Sequence, residues 1–537
     1  MTRGSLWLAG WLVLAAPGAG AAALPAIVPN PRRETAEPGV FRVTTATRLL
    51  VPANAPGAVQ AARALRRWLR RSTGLRLLPP ATAVPGRPTP GRAIRFARRD
   101  RTAIPREGYR LVVNSRGVTI DASSAAGWSY GAASLWQLVP LRPRAGVLAV
   151  PAVRIDDAPR VPVRALELAT DGHRPSPREI RRLRDIMMIL KLTWLDEPAR
   201  ADASIDLDTR QSRAADEPPG PARVLTLAEA YRATPVNAVG VRGAVSTAWL
   251  RTDSQLEQRL LPRAAALAEV GWSARSRRHW RDFLRRLVAL DRRTRALGLH
   301  GSRAAFRVHA RTVTDFHAST ALVRLSTQTG YGEIHYTLAG GTPDANAATY
   351  QDPLRLRLPV TLRAADFDGA QRIGPILIRR LDLASAQRRT SRDLSLCTAH
   401  RPLWIEGEPS GAQRRMKFLI DAANPCWVYR AADLDAARRI RVAVGWIRVE
   451  PSAPASRPRR SRPPPTQARG DLVIRLDGCA GAPLASLALP RTPSALTVLP
   501  TLPLPTSVRG LHDLCVRLPP ARRGGAWALA WIAPIPR

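Results

Sequence analysis

Apolar residues recur at helical spacing near the start of the chain. The pattern predicts an amphipathic helix that ends at Gly74. Its apolar face consists of Val59, Ala62, Leu65, Trp68 and Leu69. Arginines between Arg63 and Arg71 occupy the other faces, where we expect them to be solvated.

Two further helices are predicted from the same spacing. The first begins at Ser176-Pro177-Arg178-Glu179, the pattern of a capping box with proline at the first helical position. Its apolar stripe is Ile180, Leu183, Ile186, Met187 and Leu190. The second covers residues 280–298 and places arginines on its polar face. Its apolar stripe is Phe283, Leu284, Leu287, Leu290 and Leu297.

Alternating and β-rich segments predict strands elsewhere. Residues 109–113 and 117–120 form a predicted hairpin joined by Asn114-Ser115-Arg116. Strands and turns dominate after residue 307. From about Cys397 the pattern is typical of a disulfide-bearing β-sandwich, interrupted by a Pro/Arg-rich insert at 451–465.

The N-terminus has the pattern of a secretory signal peptide. Arg3 precedes an apolar run over residues 6–16, and the small residues Ala19-Gly20-Ala21 follow it. This run is shorter than the roughly 20 residues that a membrane-spanning helix needs, and no later segment is long enough. We therefore expect export to the periplasm or beyond, with no membrane span.

Composition and charge narrow the possible functions. With 537 residues, 45% apolar residue types and 14 Trp, the chain has the composition of several folded domains. The net charge is +42, and 81 of the 83 basic residues are arginine, since Lys191 and Lys417 are the only lysines. Such a charge allows polyanion binding. Because arginine is spread through every segment instead of being clustered, nucleic acid is a disfavoured partner.

The four cysteines are Cys397, Cys426, Cys479 and Cys515, all in the last third of the chain. An even number in an exported protein predicts two disulfides, and three pairings remain open. No C-x-x-C spacing is present and the eight His show no ligand spacing, so no metal site is predicted. No cofactor motif is found either.

Two motifs resemble a known enzyme family. The run from Gly127-Trp128-Ser129-Tyr130-Gly131 to Leu135-Trp136-Gln137-Leu138, then Ile155-Asp156-Asp157-Ala158-Pro159-Arg160 and a strand from Arg164, is similar to the sequence that leads into the catalytic barrel of glycoside hydrolase family 20. These are the chitobiase-like β-N-acetylhexosaminidases. The segment from Gly240 to Trp249 resembles the family's last barrel strand.

The resemblance implies a multidomain α+β and β protein. We expect a signal peptide at 1–23, a non-catalytic hexosaminidase-type α+β domain at 24–150, and a remnant of the catalytic (β/α)8 barrel at 151–303. An immunoglobulin-like module at 304–393 and a C-terminal β-sandwich at 394–537 follow. The segment from Arg164 to His300 contains only 137 residues, whereas a complete (β/α)8 barrel contains about 250 residues. The resemblance therefore implies that the centre of the barrel is missing.

The family's catalytic pair is not found in this sequence. Family members use the substrate's acetamido group as nucleophile, while an Asp orients that group and the next Glu protonates the leaving oxygen of the substrate. The Asp and Glu stand in a Gly-Gly-Asp-Glu motif. The dipeptides Asp196-Glu197 and Asp216-Glu217 lie in predicted loop segments whose sequences do not match the motif. Ser246 and Ala248 replace the family's acetamido-stacking Trp and hydroxyl-binding Glu. No catalytic residue is predicted.

Arg164 is the one sugar-binding residue that the resemblance implies. It matches an Arg that holds hydroxyls of the terminal sugar, although a structural salt bridge is the alternative. His173 also stands where the family has His, but Ala169 and Gly172 replace the nearby Asp and Arg.

Three functions follow as hypotheses. The first is a degenerate β-N-acetylhexosaminidase of family 20, whose members release terminal β-linked N-acetylglucosamine or N-acetylgalactosamine, and whose hydrolytic activity is lost here. The second is a carbohydrate-binding or scaffold protein of the cell envelope, recognising chitin oligomers, peptidoglycan fragments or glycoconjugates. In this hypothesis four aromatic residues of the C-terminal part offer faces on which sugars stack, and the alternative for each is a place in the hydrophobic core. They are Trp404, Trp427, Tyr429 and Trp446. The third is polyanion binding.

Overall fold

The computed structural model describes residues 26–84, 92–169, 175–193, 204–206, 208–209, 223–224, 226–233, 240–246, 252–315, 318–398, 402–406, 417–421, 424–435, 437–447, 470–490, 496–520 and 525–536. The chain divides into two compact units, a first that ends at Ala305 and a second that runs from Phe306 to Arg537. Within the described residues, every helix is too short or too polar to cross a membrane.

The first unit begins with a seven-stranded sheet. Its strands are β1 (Arg33–Val43), β2 (Arg48–Val51), β3 (Ala81–Thr82), β4 (Ala93–Arg98), β5 (Tyr109–Val113), β6 (Gly117–Ala122) and β7 (Leu148–Asp157). The strand order is β1-β7-β5-β6-β4-β2-β3. β5 and β6 pair antiparallel, which confirms the predicted hairpin, and the Asn114 side chain accepts hydrogen bonds from the Arg116 and Gly117 backbone N–H groups.

Two helices accompany this sheet, α1 (Pro56–Thr73) and α2 (Ala125–Leu138). The predicted first helix is confirmed as α1: Leu65, Trp68 and Leu69 are buried, and Gly74 ends the helix in the left-handed conformation at φ 78°. Trp68 packs on Trp136 of α2 with ring centroids 5.9 Å apart. The two helices therefore share one core.

Glycine allows α2 to approach the sheet closely. A Cβ atom at Gly131 would lie 2.5 Å from Cγ2 of Ile120 on β6, closer than side-chain atoms tolerate. The Ser124 side chain accepts a hydrogen bond from the Gly127 N–H and so begins the helix. The Gly-x-x-Tyr-Gly pattern is thus explained by packing.

The sheet extends beyond the boundary that the sequence predicts. β7 continues to Asp157 and pairs with both β1 and β5. The predicted boundary at residue 150 therefore falls inside a strand, because the Ile155-Asp156-Asp157 segment completes this sheet before the chain reaches the next one.

The rest of the first unit alternates short strands with helices. The strands are β8 (Val163–Ala169), β9 (Ser204–Asp206), β10 (Asp208–Thr209), β11 (Arg223–Val224) and β12 (Gly240–Ser246). The helices are α3 (Pro177–Ile189), α4 (Leu227–Arg232), α5 (Asp253–Leu260), α6 (Arg263–Trp272) and α7 (Trp280–Ala296). β8, β12 and β9 form a parallel sheet in that order, and Thr193 adds a parallel bridge to Ala165.

The helix predicted after Ser176 is confirmed as α3, but its capping box is only half formed. The Ser176 hydroxyl accepts a hydrogen bond from the Glu179 N–H at 3.1 Å. The reciprocal bond is absent among the described residues, because the Ser176 N–H points to Asp253 at 3.4 Å and both Glu179 oxygens lack a hydrogen-bond partner there. A complete capping box occurs at Thr226 and Glu229, which begin α4.

The helix predicted over 280–298 is confirmed as α7, with Phe283, Leu284, Leu287 and Leu290 buried. The sequence places its arginines on a polar face, but Arg286 is buried, being 2% exposed. Its guanidinium donates to both oxygens of the buried Glu269 on α6 at 2.6 and 3.0 Å. A buried carboxylate thus replaces water as its partner.

The second unit opens with two small sheets. Their strands are β13 (Val308–Asp315), β14 (Thr320–Thr327), β15 (Glu333–Thr337), β16 (Ala348–Thr349), β17 (Leu354–Arg357), β18 (Val360–Asp368), β19 (Gln371–Arg372) and β20 (Leu377–Leu381). One sheet has the order β13-β14-β17, and the other has the order β16-β15-β18-β19 with β20 also on β18. Their shared core is Val308, Ala321, Val323, Leu325, Leu356, Leu362, Ala364 and Leu381.

The C-terminal part contains one short helix and the remaining strands. They are α8 (Leu383–Gln387), β21 (Arg389–Thr390), β22 (Ser395–Leu396), β23 (Pro402–Glu406), β24 (Lys417–Asp421), β25 (Cys426–Asp433), β26 (Ala437–Ile447), β27 (Asp471–Leu476), β28 (Pro483–Ala488), β29 (Thr497–Val498), β30 (Leu502–Pro503), β31 (Leu511–Arg517) and β32 (Ala526–Pro536). The larger sheets are β21-β32-β26-β29, with β30 on β26, and β22-β25-β31-β27-β28. Because β21 pairs with β32, these sheets begin before the predicted boundary at 394.

Both sheets contribute to one hydrophobic core. Trp427 and Tyr429 belong to it, being 0% and 5% exposed, so these two aromatic residues are core residues and offer no stacking face. Trp446 is half-buried and packs edge-on against Trp527 at 5.2 Å. The structure also selects one of the three cysteine pairings, Cys397 with Cys426 and Cys479 with Cys515.

Several predicted features lie outside the described residues. They are the signal peptide at 1–23, the Pro/Arg-rich insert at 451–465, both Asp-Glu dipeptides at 196–197 and 216–217, Gly172, His173 and Ala248. The side chains of Ala169, Ser246 and Trp404 are also outside them, although these residues lie in β8, β12 and β23.

One buried carboxylate of the second unit predicts a pH-dependent stability. Asp366 on β18 is 0% exposed, and burial raises its pKa to about 8. Since the folded-state pKa exceeds the unfolded value, the carboxyl is neutral in both states below about pH 4 and charged in both above about pH 8. Only at the higher pH does the folded state bear the cost of a buried charge. We expect Asp366→Asn to raise the free energy of unfolding by about 1–3 kcal/mol at pH 8.5 and by little at pH 4.

Urea unfolding followed by tryptophan fluorescence at both pH values measures this difference. The exposed Asp352 supplies the control, because Asp352→Asn removes the same charge without changing a buried group. Equal gains at both pH values, or a loss at pH 8.5, would contradict the prediction.

Candidate functional site

Arg164, the residue matched to sugar binding, is completely buried at the start of β8. Its Nε donates to the Lys191 carbonyl at 2.9 Å, and its Nη1 donates to the carbonyls of Val161 and Pro162 at 2.6 and 3.0 Å. Its Nη2 forms an ion pair with Glu107. All three nitrogens of this guanidinium therefore bind acceptors of the protein.

Aromatic rings and a close backbone enclose the same guanidinium. Its Cζ lies 5.1 Å from the ring centroid of Trp272 and 6.0 Å from that of Tyr130. On α6, a Cβ at Gly271 would lie 2.9 Å from the Arg164 Cγ. Of the two roles that the sequence left open for Arg164, these contacts support the structural one, and sugar binding stays a prediction.

A buried ion pair also contacts Trp272. Lys191, just after α3, and Asp157, at the end of β7, have fully buried side chains, and Lys191 Nζ is 2.8 Å from Asp157 Oδ2. The ammonium also lies 4.7 Å from the Trp272 ring centroid. Burial lowers the pKa of Lys191, and the charge of Asp157 opposes that shift. Trp272 is thus contacted by two buried cations.

Asp157 collects hydrogen bonds from four segments of the chain. Its Oδ1 accepts from the Trp272 Nε1 at 2.8 Å and from the Arg32 backbone N–H at 2.9 Å. Its Oδ2 accepts from Lys191 and from the Tyr109 hydroxyl, the latter at 2.7 Å. Burial and then the charge of Asp157 raise the pKa of Tyr109 well above its ordinary value, so the phenol stays a donor. The network therefore joins β5, β7, α6 and the end of α3.

A second buried ion pair holds the chain before β1. Arg286 Nη1 donates to the Ile27 carbonyl at 2.9 Å besides its two bonds to Glu269. Glu269 Oε2 in turn accepts from the Asn30 N–H at 2.8 Å. α6 and α7 are thus bonded to residues 27–30, more than 200 positions earlier in the sequence.

Sequence reasoning missed both ion pairs. Asp157 and Lys191 are 34 positions apart and Glu269 and Arg286 are 17 apart, so no local spacing connects them. The available signals were the Asp156-Asp157 step and the scarcity of lysine, of which Lys191 is one of two. Neither signal identifies a partner.

A polar cavity of about 370 Å³ opens beside the Asp157 network. Its lining, called here the Arg-lined cavity, is Arg32, Arg33, Ala103, Ile104, Pro105, Tyr109, Arg110, Arg154, Asp156, Asp157 and Ala158. Arg110 Nε is 2.5 Å and Arg154 Nε 3.4 Å from opposite oxygens of Asp156. Burial acts to raise the pKa of Asp156, but the hydrogen bonds from these arginines outweigh it and lower the pKa below its ordinary value.

The charge of the Arg-lined cavity is positive. Four arginines line it, and of its two carboxylates Asp157 is already paired with Lys191. Arg32, Arg33 and Arg154 are exposed, and Arg110 is half-buried. Guanidinium groups in such a concave, accessible site favour carboxylate or phosphate groups of a ligand.

Two other carboxylates of the first unit, the buried Glu179 and the half-buried Glu34, have strongly shifted pKa values. Burial, with the nearby Glu257 and Asp253 adding to it, raises the pKa of Glu179 to about 7, and burial raises that of Glu34 to about 7. Glu179 is 0% exposed, so a proton on it does not reach a ligand. Neither residue matches the family's catalytic pair.

Part of the first unit matches a known family model. Residues 24–158 match the family model described as Glycosyl hydrolase family 20, domain 2. Residues 323–380, in the second unit, match the model described as Fn3 associated. No curated protein matches the chain. The family-20 relationship that the motifs indicate is confirmed, and the chain is related to glycoside hydrolase family 20 through this N-terminal domain.

Solved structures similar to this chain include three family-20 enzymes. An exo β-N-acetylglucosaminidase from Vibrio harveyi is 13% identical, with 52% of this chain and 78% of that chain covered and a TM-score of 0.41. A β-N-acetylhexosaminidase from Streptomyces coelicolor A3(2) is 18% identical, with 52% and 99% covered and a TM-score of 0.41. A mutant β-hexosaminidase from Streptomyces plicatus is 16% identical, with 52% and 98% covered and a TM-score of 0.44.

The buried ion pair of Lys191 and Asp157 predicts that losing its cation destabilises the protein more than losing the cation of an exposed pair does. Lys191→Met removes the cation and leaves Asp157 charged in the interior, so we expect the free energy of unfolding to fall by about 3–5 kcal/mol. Urea unfolding at pH 7 measures the loss. Arg285→Met breaks a partly exposed ion pair with Asp282 and should cost under about 1 kcal/mol. Equal losses in the two variants would refute the assigned difference.

Proposed function

We propose that this chain is an exported relative of glycoside hydrolase family 20 that binds N-acetylhexosamine-containing glycans without hydrolysing them. In this proposal an acidic group of the glycan, such as those of peptidoglycan fragments, binds in the Arg-lined cavity of the first unit. The observation that carries the proposal is the set of four arginines around that cavity.

Loss of hydrolysis is supported by the sequence. No Gly-Gly-Asp-Glu occurs in the chain, and Ser246 and Ala248 stand where the family has its stacking Trp and its hydroxyl-binding Glu. Substrate-assisted retention needs one carboxyl to orient the acetamido group and another to protonate the leaving oxygen. In the proposal Arg164 is a structural residue, in keeping with its bonds to Glu107 and to backbone carbonyls.

The preference for an acidic glycan follows from charge and geometry. Neutral sugars are held mainly by stacking on exposed aromatic faces and by hydrogen bonds, but the one aromatic residue of the cavity lining, Tyr109, is buried. Arginines instead bind carboxylates through paired N–H donors. Peptidoglycan fragments carry carboxylates and chitin oligomers do not, so the former fit this cavity better.

The proposal also covers the architecture. We interpret β8, β9 and β12 as the remnant of a (β/α)8 barrel, the sheets of β13–β20 as an immunoglobulin-like module, and the sheets of β21–β32 as a β-sandwich. The peptide at 1–23 directs export to the periplasm or beyond, where glycans of the envelope are accessible.

The absence of hydrolysis is tested with a chromogenic N-acetylglucosaminide. We expect the purified chain to release chromophore no faster than buffer, because the motif that supplies the acid and the orienting carboxylate is not in the sequence. Turnover that disappears in Glu197→Gln or Glu217→Gln would assign a catalytic acid and overturn the proposal.

Binding is tested by co-sedimentation with purified peptidoglycan and with chitin. We expect retention on peptidoglycan, little on chitin, and about tenfold weaker affinity for peptidoglycan in the double variant Arg33→Gln, Arg154→Gln, since two exposed charge contacts are lost. The control Arg285→Gln removes one positive charge outside the cavity and should change the affinity for peptidoglycan little. Equal retention on chitin, or equal binding of duplex DNA, would identify nonspecific attraction by the +42 chain instead.

A further inference from the structure

All four cysteines of the chain meet at one point of the second unit. Their sulfur atoms lie within 4.8 Å of one another. Besides the two bonded pairs, Cys397 lies 3.5 Å from Cys479 and 3.9 Å from Cys515, and Cys426 lies 3.8 Å from Cys479 and 3.5 Å from Cys515, measured between sulfurs. We call this group the sulfur tetrad.

The closeness of the two cysteine pairs in the sulfur tetrad is not required for forming two disulfides. A disulfide needs only its own two Cα atoms at a suitable distance, here 5.4 Å in each pair. Nothing in that requirement brings one pair against the other. Convergence of four sulfurs is instead what a tetrahedral metal site requires, since Zn²⁺ binds four thiolates with Zn–S distances of about 2.3 Å.

The distances between the pairs already fit such a site. Four sulfurs about 2.3 Å from a central ion at tetrahedral angles lie about 3.8 Å from each other. The four contacts between the pairs are 3.5 to 3.9 Å. Only the two sulfurs within each pair would have to separate, and this needs side-chain rotation about Cα–Cβ bonds.

The sheet positions the tetrad on its outer face. Cys426 on β25 is opposite Arg517 on β31, while Trp427 and Val516, the next residues along each strand, are in the core. Because side chains alternate along a strand, Cys426 and Cys515 point away from the core. Cys397 directly follows β22, and Cys479 lies in the turn between β27 and β28. A metal ion would reach the tetrad from this outer face, past the half-buried Cys397 and Cys479, while Cys426 and Cys515 are each 1% exposed.

The neighbouring charges suit a negatively charged site. A zinc ion with four thiolates carries a net charge of −2. Arg517 is directly opposite Cys426, and Arg475 on β27 is directly opposite Cys515. Directly opposed residues of antiparallel strands have Cβ atoms about 5 Å apart on the same face. These two arginines favour thiolates over thiols.

We propose that the reduced chain binds one Zn²⁺ through Cys397, Cys426, Cys479 and Cys515, as an alternative to its two disulfides. Binding converts four thiols and one Zn²⁺ to a tetrathiolate complex and releases four protons. The metal-binding step itself involves no oxidant or reductant, but forming the reduced chain from the two disulfides takes four electrons, supplied by a thiol or phosphine reductant, and four protons. The spacing rule that argues against zinc applies to C-x-x-C turns, whereas here four separate segments of one sheet supply the ligands.

Cobalt substitution of the full chain, without an affinity tag, tests the proposal. The protein is reduced with a phosphine under argon, freed of reductant and titrated with Co²⁺. We expect four titratable thiols, the intense visible absorption of tetrahedral cobalt thiolate saturating at one Co²⁺ per chain, and its loss when one equivalent of Zn²⁺ is added. The oxidised chain serves as the control and should give no such absorption.

Variants assign the ligands. Cys479→Ser and Cys397→Ser should each abolish the tetrathiolate spectrum, and Arg517→Gln should weaken Zn²⁺ binding about tenfold while keeping the spectrum. Circular dichroism reports whether the reduced chain keeps its strands. A reduced chain that gives no tetrahedral spectrum, whether folded or unfolded, overturns the proposal, as does a spectrum that persists in either cysteine variant.

Discussion

The buried carboxylate of Asp157 is the interaction on which the first unit depends most. A charge in the interior is tolerated only when donors surround it, and here four donors from β5, the segment before β1, α6 and the end of α3 converge on its two oxygens. The seven-stranded sheet and the helices after β8 are bonded through this one group. The match to the family-20 domain, 24–158, ends one residue after Asp157, and two of its four donors, Lys191 and Trp272, lie beyond that match.

Trp272 extends the same constraint to Arg164. Its indole N–H binds Asp157, and its ring contacts both the Lys191 ammonium and the Arg164 guanidinium. Two cations can share one buried ring because each has its own anion, Asp157 for Lys191 and Glu107 for Arg164. The excess of arginine in this chain is thus not confined to the surface. Arg164 and Arg286 rank with the tryptophans among its largest buried side chains.

The hydrogen bonds and the ion pair of Arg164 bear on function. A guanidinium that binds three backbone carbonyls and a carboxylate has little capacity left for a sugar. Exposed arginines of the first unit line the Arg-lined cavity instead, where positive charge is in excess. The position that the sequence connects with sugar binding is thus part of the core.

The sequence alone determined the features that depend on neighbouring residues. Helical spacing predicted α1, α3 and α7, alternation predicted the β5–β6 hairpin, and motifs indicated the family, because each of these signals lies within about twenty residues. It did not predict that Glu179 would leave its capping box or that Arg286 would be buried, since Asp253 and Glu269 decide those outcomes. The partners of Asp157 and the convergence of the four cysteines also appear only in the tertiary structure. Their segments meet across 29 to 125 positions through sheet pairing and through the packing of helices on the sheets, and no local pattern encodes which charges or sulfurs meet.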